Sequence, residues 1–134
     1  MRGNWLTHQA LFLVSTLVAL LAFQLQLKAD ELSLTATVGV KVRVYGHVRF
    51  ADDCSQGPIP EMTIVTKPAL GVLTTQTEMV TLTSPDFGTC SAGHSGMGTV
   101  VYYEASAAGQ DNFEYKMSSP GLPTTDWKVS AEVH

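Results

Sequence analysis

Leu32-Ser-Leu-Thr-Ala-Thr-Val-Gly-Val-Lys-Val-Arg-Val-Tyr-Gly-His-Val-Arg-Phe50 decides the fold class. Its even positions are apolar from Leu32 to Phe50, interrupted only by Gly46, whereas its odd positions carry Ser33, Thr35, Thr37, Lys41, Arg43, Tyr45, His47 and Arg49. A period of two puts successive side chains on opposite faces of an extended chain, so one face meets a core and the other water. That is the pattern of antiparallel sheet. Gly39 and Gly46 mark bends, which predicts a short strand near 32–38 and a longer one near 40–50. On this alternation His47 shares the polar face with Lys41, Arg43 and Arg49.

Downstream, runs at 61–66, 71–75, 78–83, 98–104, 112–118 and 125–133 mix β-branched or aromatic residues with polar ones. Between them stand turn formers: Gly57-Pro-Ile-Pro60, Lys67-Pro-Ala-Leu-Gly71, Ser84-Pro-Asp-Phe-Gly88, Gly93-His-Ser-Gly96, Ala108-Gly109 and Ser119-Pro-Gly-Leu-Pro123. No helical period separates the runs. Seven or eight short strands without crossover helices predict an all-β, antiparallel sandwich of the Ig-like kind.

Upstream, Ala10 to Phe23 is a 14-residue apolar run, preceded by Arg2 and followed by Gln24, Gln26, Lys28 and Ala29. A spanning helix needs about 20 apolar residues, so the run reads as a signal peptide over 1–29, cleaved after Ala29. One domain over 30–134 follows. The expected location is the periplasm or the exterior of a bacterium, with no membrane association once the signal is removed.

The whole chain has 134 residues, 12 acids, 8 Lys plus Arg and a mean hydropathy of +0.12. Residues 30–134 keep all 12 acids but only 6 of the bases, a net of −6. That argues against a nucleic-acid partner and against an anionic membrane surface. Cys54 and Cys90, an even pair in an exported chain, predict a disulfide. The Ser- and Gly-rich stretch from Cys90 to Gly98 reads as a flexible connection between sheets.

Gly109-Gln-Asp111-Asn-Phe113-Glu-Tyr115, preceded by Gly98-Thr-Val-Val-Tyr-Tyr103, resembles the end of bacterial Ig-like and cadherin-like tandem domains, here in single copy. Pro68-Ala-Leu-Gly71 is similar to the early Pro-x-x-Gly turn of those domains. Ala105 stands where that family usually has Pro, and no aromatic residue precedes Gly109. The resemblance implies a structural role for Pro68, Gly71, Tyr103, Gly109, Asp111, Phe113 and Tyr115. On the residues themselves, Asp111 and Gly109 suit a turn, Phe113 a core, and Tyr115 a corner where its hydroxyl bonds backbone.

Two metal chemistries are considered. Cys90-Ser-Ala-Gly-His94-Ser-Gly-Met97, with His47 upstream, is similar to a cupredoxin copper loop, which implies His47, Cys90, His94 and Met97 as ligands. A bridge to Cys54 would deny that site its thiolate. Calcium needs six to eight converging oxygens. The acids Asp52, Asp53, Asp86, Asp111 and Asp126 follow no calcium-loop spacing and read as solvated loop residues.

No nucleophile elbow, zinc helix or phosphate loop is present in the sequence. The leading expectation is therefore a monomeric, non-catalytic, cofactor-free Ig-like module that binds a protein or glycan partner. Its contacts would come from loops 51–60 and 91–98, with Arg43 and Tyr45 as further candidates. The alternative is a small periplasmic copper protein, and a third possibility is a structural subunit that pairs edge strands with other copies.

Overall fold

The computed structural model describes residues 29–83 and 90–134. The expected signal peptide up to Lys28, and the expected turn at 84–88 with Asp86, lie outside them. Seven strands follow in order: β1 (Asp30–Ala36), β2 (Lys41–His47), β3 (Glu61–Thr66), β4 (Gly71–Thr81), β5 (Ser95–Ala105), β6 (Gly109–Ser119) and β7 (Leu122–Val133). They form a four-stranded sheet, β1-β7-β6-β3, and a three-stranded sheet, β2-β5-β4. An immunoglobulin constant-type sandwich orders its strands 1-2-5-4 and 3-6-7. This chain keeps that order except that β1 has moved to the opposite sheet, beside β7.

The expected all-β sandwich is present, with two differences in detail. β1 runs parallel to β7, from Asp30 opposite Trp127 to Ala36 opposite Val133, so the fold is not wholly antiparallel. The stretches 71–75 and 78–83 are not two strands but the single β4, because Gln76 and Thr77 stay in register against Val100 and Thr99. A polar break in the pattern is no break in an edge strand, whose side chains can be solvated without loss of the ladder.

Local chemistry closes the connections. Residues 37–40 cross between sheets, with Val38 N–H donating to His134 C=O at 3.0 Å and Gly39 N–H to Ala105 C=O at 2.8 Å. Pro120 and Gly121 join β6 to β7 as the two central residues of a tight turn. Proline presets φ at the first position, and Gly121 takes φ +73° at the second, a conformation costly for residues with a Cβ.

The core lies between the sheets. Tyr103, Val101 and Ala105 of β5 meet Phe113, Tyr115 and Met117 of β6 and Val129, Ala131 and Val133 of β7, all buried. Each large apolar side chain removed from water contributes about 1.5–3 kcal/mol, offset by the entropy of ordering it.

A second cluster sits on the opposite face of the three-stranded sheet, since Val100 and Tyr102 alternate with the inward Val101 and Tyr103. It gathers Val48, Val80, Leu82, Cys90 and Val100, with Phe50, Cys54 and Tyr102 against them. Val48, Phe50 and Cys54 after β2, and Leu82 and Cys90 after β4, lie over this face. The Cys54–Cys90 disulfide joins them, with Cα atoms 5.5 Å apart. Gly96 makes room: a Cβ there would stand 2.7 Å from Cε1 of Phe50 and 2.8 Å from Oε1 of Gln56. The stretch 90–98 is thus no flexible link between sheets; it leads within one sheet from β4 to β5, and its Gly residues admit a covering loop.

Candidate functional site

β2 carries a bulge. Arg43 stands opposite Tyr102 and Tyr45 opposite Val101, so Val44 has no partner of its own on β5. One extra residue reverses the facing of everything after it. Tyr45 and His47 therefore turn toward the interior, and the expectation that His47 faces water is corrected: it is 8% exposed. Tyr45 likewise leaves the polar face, while Arg43, before the bulge, stays on it.

His47 lies among three rings. Trp127 is 4.7 Å away and Tyr115 5.6 Å, both edge-on, and Tyr45 is 5.1 Å away at a tilt. Tyr45 and Trp127 are themselves 4.8 Å apart. The Nε2 of His47 is hydrogen-bonded to the Tyr115 hydroxyl at 3.0 Å. Burial, reinforced by the nearby Arg49 charge, pushes the His47 imidazole down to about 4, so it is neutral at ordinary pH. Burial, followed by Tyr45, holds the Tyr115 hydroxyl well above the ordinary phenol range. Tyr115 sits in the middle of β6 and bonds a side chain, not backbone at a corner, which corrects that expectation.

These residues border a cleft of about 790 Å³ that follows β2 from Arg43 to His47 and continues past its end to Arg49. Asp30, Glu31 and Leu32 of β1 form one wall; Trp127 and the last residues of β4 contribute the rest. β2 pairs only with β5 among the described strands, so its other edge borders this cleft. Arg43 and Arg49 take part in no ion pair among the described residues, and the buried Nε of Arg49 has no hydrogen-bond partner there.

Apart from Tyr115, the residues singled out at 68–71, 103 and 109–113 come together elsewhere, as a structural lock. Asp111, inward on β6, accepts from Ala69 N–H and Leu70 N–H at 2.9 Å each and from the Tyr103 hydroxyl at 2.7 Å. Phe113 stacks on Tyr103 at 5.1 Å. Pro68 and Gly71 flank the two donated amides, and Gly109 approaches Leu70. Burial raises the Asp111 pKa, but the bonds from Tyr103, Ala69, Leu70 and Asn112 outweigh it and hold the carboxyl below its usual range. The lock pins the β3–β4 connection, which changes sheets, to the start of β6.

The copper arrangement is corrected. Cys90 spends its sulfur on Cys54. His94 bonds the Cys54 carbonyl through Nε2 at 2.6 Å, while His47 bonds Tyr115. The acids are not gathered either. Asp53 holds Ser55 N–H and hydroxyl, Asp126 of β7 meets Lys116 at 3.6 Å, and Asp111 is in the lock, so the last two are strand residues rather than loop acids. Among the described residues, no group of three or more His, Cys, Asp or Glu could hold a metal ion.

The expected contact loops are more firmly held than their composition suggests. Gln56 donates to Met97 C=O at 2.9 Å and accepts from Met97 N–H at 2.7 Å, taking the place of a strand partner. Phe50 packs edge-on to His94 at 4.7 Å. Arg43 and Tyr45, the further contact candidates, both line the cleft beside β2; what the sequence hid was the inward turn of Tyr45 and His47 at the bulge, whose signal was Val44-Tyr45, an apolar pair breaking strict alternation.

No protein-family model matches this chain, and no curated protein matches it. Among solved structures it is similar to the solution structure of amebosin, with 11% identity and a TM-score of 0.41 over 80% of this chain and 99% of that one.

Proposed function

We propose that this chain is an exported, non-catalytic Ig-like module that binds a protein or glycan partner, and that the partner enters the cleft beside β2 rather than resting on loops 51–60 and 91–98. The observation that carries this reading is the cleft itself: about 790 Å³, floored by the Tyr45 and Trp127 rings and flanked by two arginines without ion pairs among the described residues. Apolar rings with a few convergent polar groups are the usual make-up of a binding site. Export is supported by the 14-residue apolar run and by the disulfide, which persists in oxidising compartments.

Arrays of glycans and peptides probed with the exported protein test the reading. Ligands retained by the protein should be lost by a Tyr45→Ala variant whose melting transition shows it folded. Full retention by that variant would move the site elsewhere.

A further inference from the structure

Both arginines of residues 30–134 line the cleft, Arg43 from β2 itself and Arg49 from two residues beyond its end. Six residue steps of extended chain span at most roughly 20 Å, the reach of a short peptide segment. Across the cleft stand Asp30 and Glu31 of β1, yet no ion pair joins the two walls among the described residues. The cleft thus holds apart cations on one side and anions on the other, beside a strand edge with no partner strand among those described.

Resting on the cleft reading above, we infer that the open edge of β2 takes up an extended acidic segment of another protein as an added strand, with its carboxylates on Arg43 and Arg49. Strand addition supplies affinity through main-chain bonds and specificity through the alternating side chains. A polypeptide can also place a basic or hydroxyl side chain toward Asp30 and Glu31 while its acids face the arginines, which a uniformly anionic glycan cannot. Carboxylates accept two parallel bonds from a guanidinium.

A second copy of this chain is the wrong occupant for that edge. Antiparallel self-pairing centred on Arg43 sets that residue against the copy's Arg43, and centring on Val42 sets Lys41 against the copy's Arg43. Like charges directly opposite are destabilising, and cationic side chains and bulges are how edges avoid their own kind. The charges that exclude self-pairing select an acidic strand.

The test uses the exported protein with its disulfide intact. The probe is a capped peptide alternating Val and Thr, with a Glu near each end, followed by amide chemical shifts and hydrogen exchange. Shifts should gather at 43–49, with slowed exchange of β2 amides. A Lys-for-Glu peptide and a peptide N-methylated on alternate amides should bind about tenfold more weakly or worse. So should the Arg43→Glu and Arg49→Glu variants toward the Glu peptide, each checked for a dispersed spectrum.

No shift at millimolar Glu peptide overturns the inference, as does equal binding of the Lys or N-methylated peptide. Polygalacturonate, a carboxylate glycan, is the comparison arm: if it fills the cleft and the peptide does not, the strand inference falls while the cleft reading stands. If the peptide instead shifts residues outside 43–49, the inference falls, and the arrays alone decide the cleft reading.

Discussion

The Nε2 of His47 and the hydroxyl of Tyr115 lie 3.0 Å apart, a hydrogen bond between β2 of one sheet and β6 of the other. The Tyr103 hydroxyl of β5, donating to Asp111 of β6, spans the layers in the same way, and the core around the two bonds is apolar. A polar pair buried in that setting contributes most through what happens when it is broken, because the orphaned partner keeps its desolvation penalty.

Stability should therefore fall on acidification. The His47 pKa is about 4 in the fold against about 6.5 unfolded. Between those values the unfolded chain binds a proton that the folded chain refuses, so the folded state loses stability as pH drops through that window. The loss from this group approaches roughly 3 kcal/mol at and below pH 4. Urea midpoints measured from pH 7 to pH 4 check it, and a folded His47→Phe variant should show a visibly flatter profile.

Tyr115→Phe removes the hydroxyl and leaves His47 Nε2 without its partner. A cost of about 1–3 kcal/mol is expected. In a double-mutant cycle with His47→Phe the two losses should not add, since either substitution breaks the same bond. Additive losses in denaturant unfolding would mean the pair is not coupled.

Asp111→Asn keeps the shape of the lock and removes its charge. Two backbone amides and the Tyr103 hydroxyl then face a side chain with one acceptor oxygen and two donors of its own. About 3 kcal/mol of stability should be lost. The native carboxylate, held below its usual range, contributes stability that is present at neutral pH and disappears as pH falls through the folded value. The variant's unfolding profile should lack that acid-side component.

Reduction of Cys54–Cys90 should lower stability by about 4 kcal/mol, the loop-entropy value for a closure of this length. It should also loosen the covering over Val80, Val100 and Phe50 before the main core gives way, since the two clusters lie on opposite faces of the three-stranded sheet. Hydrogen exchange with and without a dithiol resolves the order: amides at 48–56 and 90–96 should gain exchange first.

The bonds of Asp111 reach Ala69 and Leu70, 42 and 41 positions away, and were not legible; the alternation from Leu32 to Phe50 was enough to predict sheet, because it depends on neighbours in sequence. The 61–66 strand was predicted at its observed bounds for the same reason. What escaped was relational. Whether β1 pairs with β2's sheet or with β7 is decided by packing at the far end of the chain. The inward turn of Tyr45 and His47 depends on which residue of β2 goes unpaired against β5, a matter of register that one strand does not encode alone. The cleft follows from both, so it was legible only after the strands were placed.

Because β1 and β7 point the same way, the backbone enters the fold beside Trp127 at one pole and leaves beside Ala36 at the other. Tension applied between those two points would slide the strands lengthwise, straining seven rungs together instead of peeling them one by one. A body threaded in that manner resists being drawn out along its own axis.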